Sequence, residues 1–218
     1  MGVDFPHPPE AARAALDALV SLDPDMAAIL ARAGPLPWRT RSPGFPGLLQ
    51  AIVAQMISNQ AAAAIWGRLR AIPGALDPAG LLALPDEPLR AAGLSRPKVV
   101  HARALATAFL DGTLDSARLA QMDDEAAIAA IAAVRGMGRW SAEIYLLFAL
   151  GRLDVFPAGD IALAAAVGQL KGLEPRPGPV ALRSLADRWR PDRSLAARLL
   201  WHHWRHTTGR PALDDFPI

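Results

Sequence analysis

VRGMGRWSAEIYLLFALGRLDVFPAGD, residues 134–160, joins two helical segments through a Gly-x-Gly turn and ends on an aspartate. The segment before the turn, MDDEAAIAAIAAVRG, offers Asp123 or Asp124 as an N-cap and Gly136 as a C-cap. The next helix is then predicted to begin near Arg139. Both glycines of the turn can take positive φ and let another backbone approach closely. Such a hairpin presents the first amides of its second helix to an anion such as phosphate, although an ordinary helix–helix turn uses the same residues.

Apolar residues recur at helical spacing along the whole chain, and alternating β-branched runs bounded by turn residues do not occur. The sequence therefore predicts an all-α protein. The predicted helices span approximately 9–20, 24–33, 45–71, 78–83, 86–92, 96–111, 115–120, 123–134, 139–150, 159–170, 179–189 and 192–208. No fixed-period repeat occurs, which disfavours a helical solenoid.

The composition narrows the function classes. A chain of 218 residues with 52% hydrophobic residues and a net charge of +2 is long enough for one large domain or two small ones that share a core. The absence of cysteine excludes disulfides, thiolate nucleophiles and cysteine-ligated zinc or iron–sulfur sites. No apolar stretch is long enough to span a bilayer and no leader is evident, so we expect a cytoplasmic protein without membrane contact. The basic residues are nearly all arginine, which suits phosphate recognition, although a GC-rich coding sequence would produce the same bias.

Four motifs in the same order resemble those of the helix-hairpin-helix DNA glycosylase superfamily. Gly136-Met137-Gly138-Arg139-Trp140-Ser141-Ala142 followed by Asp154-Val155-Phe156-Pro157-Ala158-Gly159-Asp160 is similar to its hairpin, loop and aspartate. LLQAIVAQMISNQAA (48–62) resembles its Gln-Gln-ϕ-Ser helix, with Met56 where a second Gln is common. GLSRPKVVHARALA (93–106) and WRPDRSLAARLLW (189–201) match two further segments. The resemblance covers residues 20–205 and is strongest to the 3-methyladenine DNA glycosylase II group.

The resemblance implies an all-α glycosylase fold with two helical lobes and an active-site cleft between them. The expected division is 1–42 for N-terminal helices packing with the C-terminal lobe, 43–158 for a central lobe with the hairpin, and 159–218 for the C-terminal lobe. It also implies damaged double-stranded DNA as the partner, with a monomer being sufficient for one duplex. No cofactor is implied.

Asp160 is the catalytic residue that the resemblance implies. Cleaving an N-glycosidic bond develops positive charge on the deoxyribose, which a fixed carboxylate stabilises in the transition state. One carboxylate is enough when the departing base is already cationic, as in 3-methyladenine and 7-methylguanine. An aspartate at this break is also the natural N-cap of the helix that follows.

The resemblance also assigns the substrate and DNA contacts. Strand-cutting relatives form a Schiff base through a lysine where this chain has Trp140, so we expect base release without a strand nick. Trp140 and Trp201 are expected to stack on the base, with Ile144 where some relatives place an aromatic ring. Met56 is expected to fill the gap left by the flipped base, unless it is a core methionine. The expected DNA-binding residues are Met56, Ser58, Gly136, Met137, Gly138, Arg139 and Ser141.

Metal binding is not expected. His202 and His206 have a metal-ligand spacing and His203 lies between them, but no HExxH arrangement or cysteine accompanies them. By resemblance, a cation could bridge hairpin carbonyls around Ala132, Val134 and Met137 to a phosphate. The sequence leaves two alternatives to a glycosylase open. One is a catalytically silent helix-hairpin-helix DNA-binding module in which Asp160 is only a cap, and the other is an all-helical scaffold without a nucleic-acid role.

Overall fold

The all-α prediction is confirmed. The structure, a computed structural model, describes residues 8–209, and the two ends of the expected division, 1–7 and 210–218, lie outside the described residues. Within 8–209 the chain forms helices and no strand. The helices are α1 Glu10–Leu22, α2 Pro24–Ala33, α3 Phe45–Ala54, α4 Asn59–Arg70, α5 Pro78–Ala83, α6 Asp86–Ala91, α7 Arg96–Leu110, α8 Ser116–Gln121, α9 Asp124–Ala132, α10 Arg139–Phe148, α11 Ile161–Lys171, α12 Pro179–Ala186 and α13 Arg193–Thr208, with a 3-10 turn at Asp187–Trp189.

The described residues form two compact units. One, the hairpin unit, is Thr40–Leu150 and contains α3 to α10. The other, the aspartate unit, combines residues 8–39 with 151–209 and contains α1, α2 and α11 to α13. The domain limits expected at 42/43 and 158/159 stay a prediction.

The core of the hairpin unit is built around α3, which packs on α7 and α10. Leu48, Leu49 and Ile52 are fully buried, as is Tyr145 of α10. The Tyr145 hydroxyl accepts the Gly44 amide at 2.8 Å and so satisfies a buried donor where α3 begins. This packing fixes the position of α10, the second helix of the hairpin.

In the aspartate unit, α13 packs on α1, α2 and α11. Trp189, only 1% exposed, is one of its largest core side chains. Its indole donates to the Asp23 carboxylate at 2.7 Å, and Asp23 also caps α2 by accepting the Asp25 amide. This buried indole is therefore hydrogen-bonded, which ties the 3-10 turn before α13 to the start of α2.

The helix predicted over residues 45–71 is wrong in one respect, because two helices occupy this range. α3 ends at Ala54, and Met56 then adopts a left-handed conformation with φ of 56° that a helix cannot contain. Ser58 restarts the chain as the N-cap of α4, its hydroxyl accepting the Ala61 amide at 3.2 Å. The result is a four-residue loop, Gln55–Ser58, in what the apolar pattern presented as one helix.

The hairpin also differs in detail from its prediction. α9 is capped by Asp123 and α10 begins at Arg139, both as predicted. However, α9 ends at Ala132 with Ala133 as its C-cap, rather than at Gly136. Gly136 lies further on, inside the turn, where its φ of 86° reverses the chain.

No helix within residues 8–209 has both the length and the apolar character that crossing a membrane requires.

Candidate functional site

The two glycines of the hairpin turn do different things. Gly136 has φ of 86°, and a Cβ added to it would lie 2.1 Å from Cγ of His101 on α7. Both the backbone conformation and the neighbouring ring therefore exclude any other residue here. Gly138 has an ordinary φ of −113°, so only Gly136 uses the positive φ that glycine permits.

Gly138 is surrounded by open space. Beyond its own chain neighbours, no described atom lies within 4 Å of a Cβ added to it, so neither its backbone nor its surroundings in the protein demand glycine. Gly138 is the N-cap of α10, and its carbonyl accepts the first intrahelical bond, from Ala142, at 3.1 Å. The positive end of the helix dipole is therefore reached from outside over a residue with no side chain, which is the arrangement that binds phosphate.

Arg139, expected to bind DNA, is engaged within the protein. Its guanidinium donates to both oxygens of Glu125 at 2.6 and 2.9 Å and to Glu143 at 2.8 Å. The Glu125 carboxylate accordingly raises the pKa of Arg139 above its usual value. Because the charge of Arg139 is already balanced, its side chain ties α9 to α10 instead of presenting a bare cation to a phosphate.

Three other expected contact residues are buried. The Met137 side chain is 5% exposed and its amide donates to the Val134 carbonyl, so Met137 belongs to the turn rather than to its surface. Ser141, 2% exposed, accepts a hydrogen bond from Gln55 at 3.0 Å. Ile144, expected to border the base pocket, is 3% exposed and is a core residue. These side chains pack inside the hairpin unit, and the expected contacts with DNA and with the base stay predictions.

Met56 is the opposite case. It is 97% exposed and stands at the tip of the Gln55–Ser58 loop, which excludes the alternative that it is a core methionine. It is also the one described non-glycine residue with positive φ. A bulky apolar side chain held in solvent on a strained backbone points to function rather than to packing.

Asp160 is both a helix cap and the acceptor of an indole bond. Its Oδ1 accepts the Ala162 and Leu163 amides at 2.9 and 3.0 Å, which makes it the N-cap of α11. The same oxygen accepts Nε1 of Trp201 at 3.2 Å. Three donors from two helices therefore fix the carboxylate of a half-buried aspartate. Trp201, expected as a stacking residue, therefore contacts Asp160 through the N–H at the edge of its indole ring.

The loop that leads to Asp160 is fixed by two residues that the sequence analysis did not assign. Arg193 donates to the Asp154 carboxylate at 2.7 and 3.0 Å and to the Asp154 carbonyl at 2.7 Å. Ser194 Oγ accepts the Val155 amide at 2.9 Å and donates to the Val155 carbonyl at 2.8 Å. The Arg-Ser pair of the 189–201 motif therefore holds the Asp-Val-Phe-Pro loop, and its place in a motif that resembles the family was the signal available in the sequence.

Most of the other tryptophans lie in the interior. Trp66 is 4% and Trp189 is 1% exposed, and Trp204 is half-buried. Trp140, in the first turn of α10, is half-buried as well, so part of its ring is accessible to a ligand of the hairpin unit.

The histidines of α13 do not form a metal site. Within residues 8–209 no group of three His, Cys, Asp or Glu side chains could hold a metal ion. His202 pairs with the Gly34 carbonyl at 3.2 Å, whereas Nε2 of His203 is buried without a hydrogen-bond partner. Burial lowers the pKa of both histidines, with the charges of Arg32 and His206 adding to the effect at His203.

Comparison with known proteins agrees with this geometry. Residues 49–191 match the family described as "HhH-GPD superfamily base excision DNA repair protein". Among curated relatives, the alkylbase DNA glycosidase-like protein mag2 of Schizosaccharomyces pombe is 27% identical over 84% of this chain and 89% of its own length. DNA-3-methyladenine glycosylase 1 of the same yeast is 28% identical over 71% of this chain and 69% of its own length. Among solved structures, the Schizosaccharomyces pombe 3-methyladenine DNA glycosylase Mag1 in complex with abasic DNA superposes with a TM-score of 0.81 at 26% identity, covering 92% of this chain and 98% of Mag1.

Proposed function

Because this chain belongs to the HhH-GPD superfamily of base excision DNA repair proteins, we propose that it is a monofunctional DNA glycosylase. Its substrates are alkylated, cationic bases in duplex DNA, such as 3-methyladenine and 7-methylguanine, and its product is an abasic site. Relatives named for alkylbase or 3-methyladenine DNA glycosylase activity along most of the chain support this substrate class. The protein acts on one duplex as a monomer.

The carboxylate of Asp160, held by α11 and Trp201, is the observation that carries the proposal. As the bond between C1′ and the base nitrogen breaks, its electron pair leaves with the cationic base, which departs neutral. Positive charge then develops on the sugar, and the fixed carboxylate stabilises it without having to reorganise. Water adds to C1′ and loses a proton. Since the departing base needs no proton, no general acid is required.

Strand cleavage through an imine is not part of the proposed activity. The sequence contains two lysines, Lys98 and Lys171, and Trp140 occupies the position of the lysine that strand-cutting relatives use. Lys98 donates to the Val53 carbonyl at 2.8 Å, and Lys171 pairs with Asp25 at 2.5 Å. An indole cannot form the imine, and both amines are already engaged in the protein, which supports simple hydrolysis.

The hairpin unit is proposed to hold the DNA. Gly138 leaves the start of α10 open to a backbone phosphate, and Ser58 lies exposed at the start of α4. Met56 is proposed as the apolar wedge that occupies the stack once the damaged base has left it. The accessible part of Trp140 offers a π-face to a cationic base.

Base release from methylated duplex DNA tests the proposal, with Asp160→Asn as the diagnostic variant. An asparagine retains an oxygen for the two α11 amides, so the fold and the cap survive while the charge is lost. We expect excision of 3-methyladenine to fall by about 3 kcal/mol, or more than 100-fold, at unchanged DNA affinity.

Asp77→Asn is the matched control, because Asp77 caps α5 through the same kind of bond, Oδ1 to the Gly80 amide at 2.8 Å. It should excise like the wild-type protein. Excision by Asp160→Asn within a few-fold of the wild-type rate would contradict the catalytic role of Asp160. Duplex binding by the wild-type protein without any base release would leave a silent DNA-binding module in place of the glycosylase.

A further inference from the structure

The wedge loop and the hairpin are tied to each other by one side chain. Gln55, the residue before Met56, donates from Nε2 to the Gly136 carbonyl at 2.9 Å and to the Ser141 hydroxyl at 3.0 Å. Its own backbone ends α3 as the C-cap. One carboxamide therefore joins the start of the exposed loop to the turn and to the first helical turn of α10, although the two segments are more than 80 residues apart in sequence.

Helix α7 supports both ends of this connection. Lys98 Nζ donates to the Val53 carbonyl at 2.8 Å, and Val53 is one of the last residues of α3, where carbonyls lack intrahelical partners. A cation at this end also interacts favourably with the helix dipole. The wedge loop therefore leaves α3 from a fixed point.

One turn further along α7, the ring of His101 lies directly against Gly136. Nothing larger than the glycine hydrogen fits between them, so the turn cannot move toward α7. Lys98 and His101, one turn apart on α7, therefore contact the end of α3 and the hairpin turn respectively. Gln55 is then the direct link between the two supported segments.

We propose that Gln55 is a positioning residue that couples phosphate binding at the hairpin to the placement of the Met56 wedge. The inference rests on the roles proposed above for the hairpin and for Met56. When the hairpin binds the backbone of the duplex, Gln55 holds the loop at a fixed offset from that phosphate, so Met56 meets the base stack at the neighbouring step. Without the link, the hairpin still binds, but the left-handed loop is no longer held where the wedge is needed.

The test is Gln55→Met, which keeps an unbranched side chain of similar length and removes the NH₂ donor. Extrusion is followed by the fluorescence of 2-aminopurine placed beside a 3-methyladenine analogue that resists cleavage, and excision is followed separately under single-turnover conditions. For Gln55→Met we expect extrusion from a fully paired duplex to slow by about 10-fold, the size of a lost hydrogen-bond link, with less than about 3-fold change at a mispaired lesion, where flipping is cheap. Affinity for undamaged duplex should change less than about 2-fold, since phosphate contacts at the hairpin remain.

Gln121→Met is the matched control, because Gln121 is an exposed residue that also ends a helix, α8. It should behave as the wild-type protein in both measurements. Ser141→Ala, which removes one of the two acceptors of Gln55 and leaves the side chain of Gln55 intact, should give a smaller slowing of the same kind. It also serves as the test if Gln55→Met does not fold.

A double-mutant cycle separates positioning from general support. In the Gln55→Met background, Met56→Ala should slow extrusion by no more than about 2-fold further, because a misplaced wedge has little left to lose. Effects that multiply, or equal slowing at paired and mispaired lesions, would overturn the inference. Extrusion is measured without cleavage, so the test of Gln55 does not depend on catalysis. A wild-type protein that extrudes the base but never releases it would refute the glycosylase, while the extrusion rates would still show whether Gln55 positions the wedge.

Discussion

Replacing Ser194 by alanine should weaken both the fold and the chemistry, and the structure gives the size of the first effect. Ser194 is 1% exposed, and its hydroxyl satisfies both the amide and the carbonyl of Val155, itself 3% exposed. Alanine leaves two buried backbone groups without a partner, each costing about 1–2 kcal/mol. The expected loss is therefore about 2–4 kcal/mol in the free energy of unfolding, or roughly 4–16 °C in Tm for a chain of this size.

The same substitution should reduce excision because Val155 lies on the loop that carries Asp160. We expect kcat to fall by about 10-fold while Kd for duplex DNA stays unchanged, since small misplacement of a catalytic group is costly and the hairpin is not touched. Thermal and urea unfolding measure the stability, and single-turnover release of 3-methyladenine well below the transition temperature measures the rate.

Ser21→Ala provides the control for Ser194→Ala. The Ser21 hydroxyl also donates to a backbone carbonyl, that of Asp17 at 2.8 Å, but it is exposed, so water replaces the lost bond. Ser21→Ala should therefore change the free energy of unfolding by no more than about 0.5 kcal/mol. A Ser194→Ala protein as stable as Ser21→Ala would refute the argument from buried backbone groups, and a destabilised protein with unchanged kcat would show that Ser194 does not position Asp160.

Four further outcomes are expected. Met56→Ala should slow excision from a paired duplex by about 10-fold and from a mispaired site by much less, because a wedge matters most where flipping is costly; equal slowing would refute the wedge. Gly138→Leu should weaken binding to damaged and undamaged duplexes alike at unchanged Tm, as measured by equilibrium binding and thermal unfolding. Gly136→Ala should instead lower the free energy of unfolding by about 2 kcal/mol or more. Borohydride should trap no covalent DNA adduct, and a trapped species that disappears on Lys98→Met would contradict the hydrolytic mechanism. The pKa of His203 is lower in the folded than in the unfolded protein, so its protonation favours unfolding. The free energy of unfolding should therefore decline as the pH falls below about 6.5. His203→Phe should flatten that decline, which urea titrations at pH 7.5 and 5.5 measure.

Much of the helical framework could be predicted from the sequence because local signals carry it. Helical periodicity, aspartate caps and proline or glycine breaks lie within a few residues of the structures they specify. The start of α10 at Arg139 was predicted on that basis and is confirmed, and of the two predicted caps of α9, Asp123 and Asp124, the structure uses Asp123. The capping role of Asp160 was foreseen in the same way.

The break at Gln55–Ser58 could not be predicted, because no glycine or proline marks it. AIVAQMISNQAAAAIW keeps helical spacing throughout, and a methionine in left-handed conformation is contrary to the local preference of the chain. Tertiary contacts supply what the sequence does not show, namely the bonds of Gln55 to Gly136 and Ser141.

Long-range pairing also explains why the surroundings of the expected site residues could not be predicted. The resemblance assigned Arg139 to DNA, and in the structure Glu125 across the hairpin accepts hydrogen bonds from both of its terminal nitrogens. The bond from Trp201 to Asp160 joins residues 41 positions apart. Burial of Met137, Ser141 and Ile144 depends in the same way on which face of the hairpin meets the core.

Asp160 has an evolutionary consequence that follows from its capping bonds. Catalytic groups usually reduce the stability of a protein, so substitutions that remove them often stabilise the fold and loss of activity carries no cost in stability. Here the proposed catalytic carboxylate also begins α11, where exchanging it for an uncapped residue such as alanine costs about 1 kcal/mol. Stability and repair thus select for the same residue, and a lineage that abandoned the chemistry would gain nothing in robustness by changing it. Asparagine or serine would keep the cap without the charge, so a descendant that had lost the activity would be expected to carry one of these residues here.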